Sequence, residues 1–438
     1  MTQRNKNRTG YKKTEIGWIP KEWHCMKLGS EEEPVLQVIR NGLTVKQDRQ
    51  SGNYKVTRIE TISDGEINLS KVQYVTDVPI NIAQAYLIRK GDILFSHINS
   101  ESHLGKTAIA TQNYPDLLHG MNLLLFRVNP NKIAPEFLNF LFIFYRRLGV
   151  FRKYSSRAVN QSSLNQEVLK SLIIPLPTLP EQQRIIQILS TWDRAIERVQ
   201  RLIEAKQRQK KGLMQGLLTG KLRFPEFGEP INITDSIPTN WETKKLKQVF
   251  SQIDRPLGNR IPESILSISA KVGFVDQKTK FGKVVAGKSL EKYILLQRGE
   301  FAYNRGNSNA YPQGCIYMLT EFDEGAIPNV YYAFRINSGS IFPHFYRYYF
   351  ESGLLNPQLK MFISSSARGD GLFNISSKDF FGIRIVVPPF EEQKKIAGVL
   401  CGMDEQIALL KKYLERLKQQ KKGLMQKLLT GEIRVKVD

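Results

Sequence analysis

Lys210-Lys211-Gly212-Leu213-Met214-Gln215 is followed by Leu217-Leu218-Thr219-Gly220, and the same words return as Lys421-Lys422-Gly423-Leu424-Met425-Gln426 and Leu428-Leu429-Thr430-Gly431. The offset is 211 residues, and Glu181-Gln182 recurs as Glu392-Gln393 at that same offset. An ungapped match over roughly forty residues is an internal repeat, so repeat architecture is the first expectation.

Upstream of each phrase the apolar residues keep one rhythm. In the first copy they are Ile185, Leu189, Trp192, Ile196, Val199 and Ile203. In the second they are Ile396, Leu400, Met403, Ile407, Leu410, Leu414 and Leu417. Alternating steps of four and three make a coiled-coil seam. Thr178 with Glu181 fits a capping box at the start of the first helix. Gly220 and Gly431 fit left-handed caps at the two ends. Gly212 and Gly423 fall inside the helices, where glycine costs about 1 kcal/mol against alanine; they predict a kink or a closely approaching backbone. A helix of about 39 residues spans roughly 58 Å. The stripes match in length and phase. They therefore predict two helices paired antiparallel as a stiff spacer, in preference to each lying on its own domain.

The repeat extends beyond the helices. Ile19-Pro20-Lys21-Glu22-Trp23 returns as Ile237-Pro238-Thr239-Asn240-Trp241, at an offset of 218. The N-terminal segment should therefore dock near the end of the second helix, giving an approximate two-fold arrangement. Ahead of each helix lies a region of one plan and different residues. Residues 91–96 are answered by 299–304, Pro135 and Phe137 by Pro343 and Phe345, and 172–176 by 383–387. β-rich runs predict strands over 55–62, 72–76, 122–128 and 172–176, with a helix over 135–148. The expected fold class is α+β: two similar mixed α/β domains joined by two long helices in an antiparallel coiled coil. Residues 1–24 hold a basic arm and the shared segment. The first domain is 25–178 and the first spacer helix 179–224. The second domain is 225–389, opened by the linker repeat 225–241, and the second spacer helix is 390–438.

Length and charge bound the function. A chain of 438 residues suits two to four domains. It carries 64 Lys and Arg against 41 Asp and Glu, a net charge of +23. No apolar run approaches the roughly 20 residues of a membrane span, and the first residues lack the apolar core of a signal peptide. So strong a positive charge without a membrane signal points to a polyanion, nucleic acid first. Cys25, Cys315 and Cys401 are widely separated and fit neither a metal site nor a disulfide framework. A reducing, cytoplasmic setting is expected.

Two further pairs of stretches complete the pattern. Ile174-Pro175-Leu176-Pro177 with Pro180-Glu181-Gln182-Gln183 is matched by Val387-Pro388-Pro389 with Glu391-Glu392-Gln393, and Gly299-Glu300-Phe301-Ala302-Tyr303-Asn304 opens a loop. With the duplicated Lys-Lys-Gly-Leu-Met-Gln endings, nearly the whole chain resembles the specificity subunit of type I restriction–modification systems. The resemblance implies a subunit without catalysis of its own, whose two target recognition domains each read one half of a bipartite double-stranded DNA site. It implies that the paired helices set the spacer and dock two methyltransferase subunits, and that motor–nuclease subunits join the complex. S-adenosylmethionine, ATP and Mg are then expected on the partner subunits and no cofactor on this chain.

Candidate DNA contacts follow from side-chain chemistry. Phosphates take Lys, Arg and polar donors, while base edges take Arg, Asn, Gln and Ser on accessible segments. In the first domain these are Ser96, His97 and Asn99, then Tyr154, Ser155, Ser156 and Arg157 with Asn160 and Gln161. In the second they are Asn304, Arg305, Asn307, Ser308, Asn309 and Tyr311, then Ser364, Ser365, Ser366 and Arg368. Lys55, Arg58, Lys271 and Lys280 are weaker candidates for phosphate. No methyltransferase, nuclease or metal-ligand motif is found. Residues 282–289 satisfy the letters of a phosphate loop, but that loop follows a buried strand and opens a helix, and its neighbours here are polar. A phosphate-loop nucleotidase and a basic coiled-coil scaffold are the alternative readings.

Overall fold

The computed structural model describes residues 8–437 except 64, 159–160, 232–236, 270–271, 282–286, 307–311 and 363–374. The chain divides into two units: Met1–Gln200 with Tyr413–Asp438, and Arg201–Lys412. The long helices Leu179–Leu217 and Phe390–Leu429 each begin in one unit and end in the other.

Each unit is built on one frame. In the first, an antiparallel sheet orders Leu36–Asn41, Leu123–Val128, Ile93–Ser96 and Thr107–Ile109. In the second, Phe250–Gln252, Tyr332–Ile336, Phe301–Asn304 and Cys315–Met318 follow the same order. A helix with proline in its first turn packs on each sheet, Pro135–Arg147 or Pro343–Glu351. Proline is well placed there because its missing N–H would have no helical partner. The apolar run Leu123–Val128 serves both faces of its sheet. Leu124 and Phe126 join Phe95, Phe137 and Leu141 in the core under the helix. Leu123 and Leu125 point the other way, to Leu94, Ile88 and Leu117. The alternation is the period of two that a strand imposes.

The strands added to the frame keep one order as well, with Leu87 bridging Leu118 antiparallel in the first unit and Ile265 bridging Ala326 in parallel in the second, while their lengths and residues differ. The first unit carries a sheet of Leu117–Leu118, Tyr54–Val56 and Gln73–Val75. The second carries the hairpin of Leu266–Ser269 with Gly273–Asp276, and the pair Ile294–Gln297 with Glu324–Ile327.

Within each unit the helices pair antiparallel. In the first, Ile185 and Leu189 share a core with Met425, Leu428 and Leu429, and Lys421 is paired with Asp193. In the second, Leu217 and Leu218 share a core with Ile396, Ala397 and Leu400, and Lys210 Nζ lies 2.6 Å from Asp404 Oδ1. The seam is buried at Ile185, Leu189, Ile203, Ile396, Leu400, Met403, Ile407, Leu414 and Leu417. It is half-buried at Trp192, Ile196, Val199 and Leu410. The rival expectation, of helices lying on their own domains, holds at the outer ends, where seam residues enter the domain cores.

Three expectations need correction. From residue 8 onward the N-terminal stretch is not an arm: Tyr11–Thr14 pairs with Gly17–Pro20, and Tyr11 Oη donates to Gly431 O at 2.5 Å. It docks at the end of the second helix as the repeat required; residues 1–7 lie outside the described residues. The run 55–62 is strand only at Tyr54–Val56, because the Arg58 N–H donates to Thr61 Oγ1 and closes a 3-10 turn at Ile59–Ile62. Gly212 and Gly423 interrupt neither helix, and among the described residues nothing lies within 4 Å of where a Cβ would stand.

Gly220 and Gly431 do what was expected of them. Both have positive φ, 75° and 68°. A Cβ on either would also collide with a proline of the repeated segment, Pro238 or Pro20. Leu400→Ala should cost about 2–5 kcal/mol, as a fully buried leucine does. Leu410→Ala, half-buried, should cost about 1 kcal/mol. Urea unfolding of both variants checks this, and equal losses would contradict the assignment of the seam.

Candidate nucleic-acid interface

In the first unit the frame strand Ile93–Ser96 runs into a loop that returns at Thr107–Ile109. Ile98–Asn99 within that loop pairs with Gln161–Ser163, which pairs in turn with Ser156–Ala158. Two candidate stretches distant in sequence, 96–99 and 154–161, are thus brought into one small sheet. Asn99 Nδ2 donates to Ser96 Oγ at 3.0 Å, and its Oδ1 accepts the Ser100 N–H at 2.8 Å. Tyr154 and Ser156 are exposed, and Ser155 Oγ donates to Arg152 O at 3.0 Å.

Ser96 and His97 lie beneath this surface, 1% and 8% exposed. They support the loop and present no group outward. Burial pushes the His97 pKa down to about 4, so the ring is neutral at neutral pH. The side chains of Arg157 and Gln161, and the whole of Asn160, lie outside the described residues.

Sequence reasoning missed the arginines that brace the same loop. Arg146 Nε and Nη2 donate to Leu104 O and Ser102 O at 3.2 and 2.6 Å. Arg152 is paired with Glu101 at 2.6 Å. With Arg147 they line a cavity of about 250 Å³. Their positions at the end of one helix and in the short helix Val150–Tyr154 gave only the signal of a basic cluster following an apolar run.

In the second unit the corresponding residues also spend their donors inside the chain. Asn304 Oδ1 accepts the Gly306 N–H at 2.9 Å, and its Nδ2 donates to Ile268 O at 3.4 Å. Arg305 donates from Nε and Nη2 to Val330 O at 3.1 and 2.9 Å, with its guanidinium 4.6 Å from the Tyr332 ring centre. Asn307, Ser308, Asn309 and Tyr311, and Ser364, Ser365, Ser366 and Arg368, lie outside the described residues. So do Lys271 and the Lys280 side chain.

The weaker candidates are engaged as well. Lys55 Nζ is 2.7 Å from Asp116 Oδ2, and Arg58 Nε is 3.3 Å from Glu60 Oε2. The phosphate-loop letters have the wrong surroundings. A short helix, Gln277–Phe281, precedes them, and a 3-10 turn at Gly287–Lys292 leads into the strand Ile294–Gln297. The strand–loop–helix order that cradles phosphate is absent among these described elements.

The duplicated residues assemble two matching clasps, one in each unit. In the first, Glu181 accepts from Trp23 Nε1 at 2.9 Å and from Arg434 Nε and Nη2 at 2.6 and 3.1 Å. In the second, Glu392 accepts from Trp241 Nε1 at 2.9 Å and from Arg223 Nε and Nη2 at 3.0 and 2.8 Å. The Glu181 carboxylate is therefore not the capping-box group expected of it. The adjacent glutamines act alike. Gln182 accepts from the Ala134 N–H and donates to Lys132 O and Pro177 O. Gln393 accepts from the Phe342 N–H and donates to Ser340 O and Pro388 O. Arg223 and Arg434 keep the 211-residue offset, three places beyond the stretch first compared.

These clasped units, each a frame with its own loops, describe a duplicated two-domain scaffold of unlike surfaces. The family model described as "Type I restriction modification DNA specificity domain" matches residues 20–207. The putative type I restriction enzyme MjaX specificity subunit of Methanocaldococcus jannaschii is 37% identical, over 97% of each chain. The MjaVIII specificity subunit of the same organism is 26% identical, over 95% of this chain and 94% of that one. The chain belongs to the specificity subunits of type I restriction–modification systems. Its fold is also that of the crystallised S subunit from M. genitalium, with a TM-score of 0.53 at 16% identity, covering 98% of this chain and 99% of that chain. A further solved chain, from work on complex assembly and conformational transition of the type I system, has a TM-score of 0.53 at 19% identity, covering 95% and 99%.

The clasps differ in exposure, which sets two outcomes. Arg223 and Glu392 side chains are 3% and 1% exposed, whereas Arg434 is 38% exposed beside a Glu181 at 1%. Glu392→Gln leaves a buried guanidinium without its anion and should cost about 3–5 kcal/mol. Glu181→Gln should cost less, because Arg434 keeps water and Glu22 at 2.8 Å. Thermal melting of the two variants ranks them, and the reverse order would contradict the geometry.

Acid should weaken the first unit for a separate reason. The pKa of His97 is lowered from 6.5 to about 4, and that of His119 to about 3, both mainly by burial. Below pH 6.5 the unfolded chain takes up protons that the folded rings refuse. The stability from these neutral rings is complete above that pH and falls away as pH drops toward about 4. His97→Gln should flatten this part of a stability–pH curve; an unchanged slope would show that His97 is not held neutral.

Proposed function

We propose that this chain reads DNA for a type I complex, each unit recognising one half of a bipartite, asymmetric site. The observation that carries the reading is one frame used twice with different residues on it: the same four-strand order in both units, carrying loops of unlike sequence. Equal frames present their surfaces equivalently, and unequal surfaces select unequal half-sites. In the first unit the contacts fall to the sheet of 98–99, 156–158 and 161–163, with Asn99, Tyr154 and Ser156 toward the bases and Arg147 toward phosphate. The candidate residues outside the described ones keep the same role in this reading.

The helices are the ruler. Each runs unbroken from one unit to the other and is clasped at its start, so the separation of half-sites is fixed by helix length. Two methyltransferase subunits dock on the pair in the cytoplasm, and a motor–nuclease subunit joins them. S-adenosylmethionine, ATP and Mg belong to those partners. The charge of +23 supplies affinity through counterion release.

Replacing residues 25–178 with the equivalent region of a relative should change one half-site and leave the other half and the gap intact. Selection of bound sequences from a random pool reads this directly, and a change in both halves would contradict the modular reading. Binding should also fall steeply between 50 and 200 mM salt, by on the order of a thousandfold for six or more phosphate contacts. Salt-independent binding in the same titration would remove the counterion-release account.

A further inference from the structure

In one place in the first unit, hydrogen-bonding groups stand in the open that the chain itself does not use. The short helix Ile80–Tyr86 reads Ile-Asn-Ile-Ala-Gln-Ala-Tyr. Ala83 is its one buried residue; Ile80 is 68% exposed, and Asn81, Gln84 and Ala85 are exposed beside it. Steps of one, four and five residues from Ile80 put these on one face of the helix. Neither amide has a hydrogen-bond partner among the described residues. That sets them apart from Asn99 and Asn304, whose amides are spent on their own loops.

The helix is tied to the end of the frame where the other candidate contacts lie. Tyr86 O accepts the His119 N–H at 2.8 Å, and His119 Nε2 is 3.1 Å from Leu123 O. Arg40 Nη1 donates to Ala85 O at 2.7 Å, with its guanidinium 5.4 Å from the Tyr86 ring centre. Leu123 opens one frame strand and pairs with Ser96, the last residue of another. Arg40 is next to last in a third, Leu36–Asn41. The loop after Ser96 therefore leaves the sheet at the end to which this helix is bound.

The second unit fills the same place with other chemistry. Leu87 bridges Leu118 just after the helix, and 208 residues later Leu295 pairs with Ala326, both antiparallel. Ahead of Leu295 stands the 3-10 turn Gly287–Lys292, whose sequence carries Lys288, Glu291 and Lys292. In the first unit the helix has no Asp, Glu, Lys or Arg, in a chain that is 24% charged. Its cations stand just beyond it, at Arg89 and Lys90, both exposed.

Amides and methyl groups inside, cations outside, are what an A·T edge in the major groove asks for. Adenine presents an acceptor and a donor that one Asn or Gln amide meets together, and thymine presents a methyl group that an apolar side chain covers. Phosphates on either side take Lys and Arg. A carboxylate on this face would be repelled by them. Seven residues make a helix about 10 Å long, which fits a groove about 12 Å wide. A protein surface would cover Ile80 but would have to supply partners for two amides as well; an A·T edge satisfies both needs at once.

We propose that Ile80, Asn81, Gln84 and Ala85 form a base-reading face that selects A·T pairs within the half-site of the first unit. Asn81 and Gln84 each hydrogen-bond an adenine, and Ile80 covers a thymine methyl. The inference rests on the reading above in taking the first unit as a reader of one half-site.

The test uses the full chain in complex with its methyltransferase subunit, and selection of bound sequences from a random duplex pool. Wild type should yield one bipartite site. Asn81→Ala and Gln84→Ala should each lose discrimination at an A·T pair of one word, by about tenfold or more, with the other word and the gap unchanged. Deoxyuridine in place of thymine in that word should weaken wild-type binding about fourfold, the worth of one buried methyl, and leave Ile80→Ala indifferent. Alanine is a better helix former than either amide, so melting temperatures should equal or exceed that of wild type. A wild type that selects no bipartite site overturns the half-site reading and the inference with it. A wild type that selects one, with both alanine variants choosing the same bases as strongly, overturns the inference alone. So does a uniform weakening on all sequences, which marks a phosphate contact.

Discussion

A carboxylate buried away from water must be answered by donors from its own protein, because an unpaired charge there is very costly. Glu181 and Glu392 are such carboxylates, each 1% exposed in the side chain. In each unit the donors come from stretches that chain order does not make neighbours. An indole comes from the Ile-Pro-x-x-Trp segment and a guanidinium from just beyond a helix end. The carboxylate lies on the first turn of the other helix. One charge therefore orients the start of one helix, the end of its partner and the segment that leads into the domain. The next residue, Gln182 or Gln393, ties that same turn to the stretch before the domain helix. A buried ion pair adds little net stability; its value here is that only one arrangement satisfies it.

A second reciprocal contact lies further along the helices. Lys210 meets Asp404 and stands 4.8 Å from the Tyr348 ring centre. Lys421 meets Asp193 and stands 5.2 Å from the Phe140 ring centre. The two units have kept the lysine, the aspartate and an aromatic platform, and changed the ring. Tyr348 adds a hydroxyl that donates to Asp404 Oδ2 at 2.7 Å. The scaffold is held constant by charge and burial, and variation is confined to what stands on it. The proposed reading of a split, asymmetric site needs that division of labour.

Much of this architecture was legible in the sequence, and the reasons are physical. Helical periodicity is local, so Ile185 to Ile203 and Ile396 to Leu417 announced the paired helices directly. The repeated Ile-Pro-x-x-Trp segment announced where the N-terminal stretch docks. The clasp arginines were not legible, because a lone arginine past a helix end looks like any solvated one until its anion is located. Candidate DNA contacts were least legible of all. Ser96 and Asn99 answer each other, Arg305 is taken up by Val330 O and the Tyr332 ring, and Lys55 meets an aspartate 61 residues away. A polar residue in a loop advertises hydrogen-bonding capacity, and only tertiary structure tells whether its own chain has already used it. Gly212 and Gly423 mark the opposite case: the intrachain neighbour expected at each is absent among the described residues.

The central proposal is that each unit reads one half of a split site and that the two continuous helices set one gap between the halves. The most direct measurement is single-molecule sequencing of methylated bases in cells carrying this chain with its methyltransferase subunit, compared with cells lacking the chain. The account predicts one bipartite, non-palindromic motif whose two words are separated by a single gap length. A continuous motif, a palindromic one, or two words joined by gaps of varying length would contradict it.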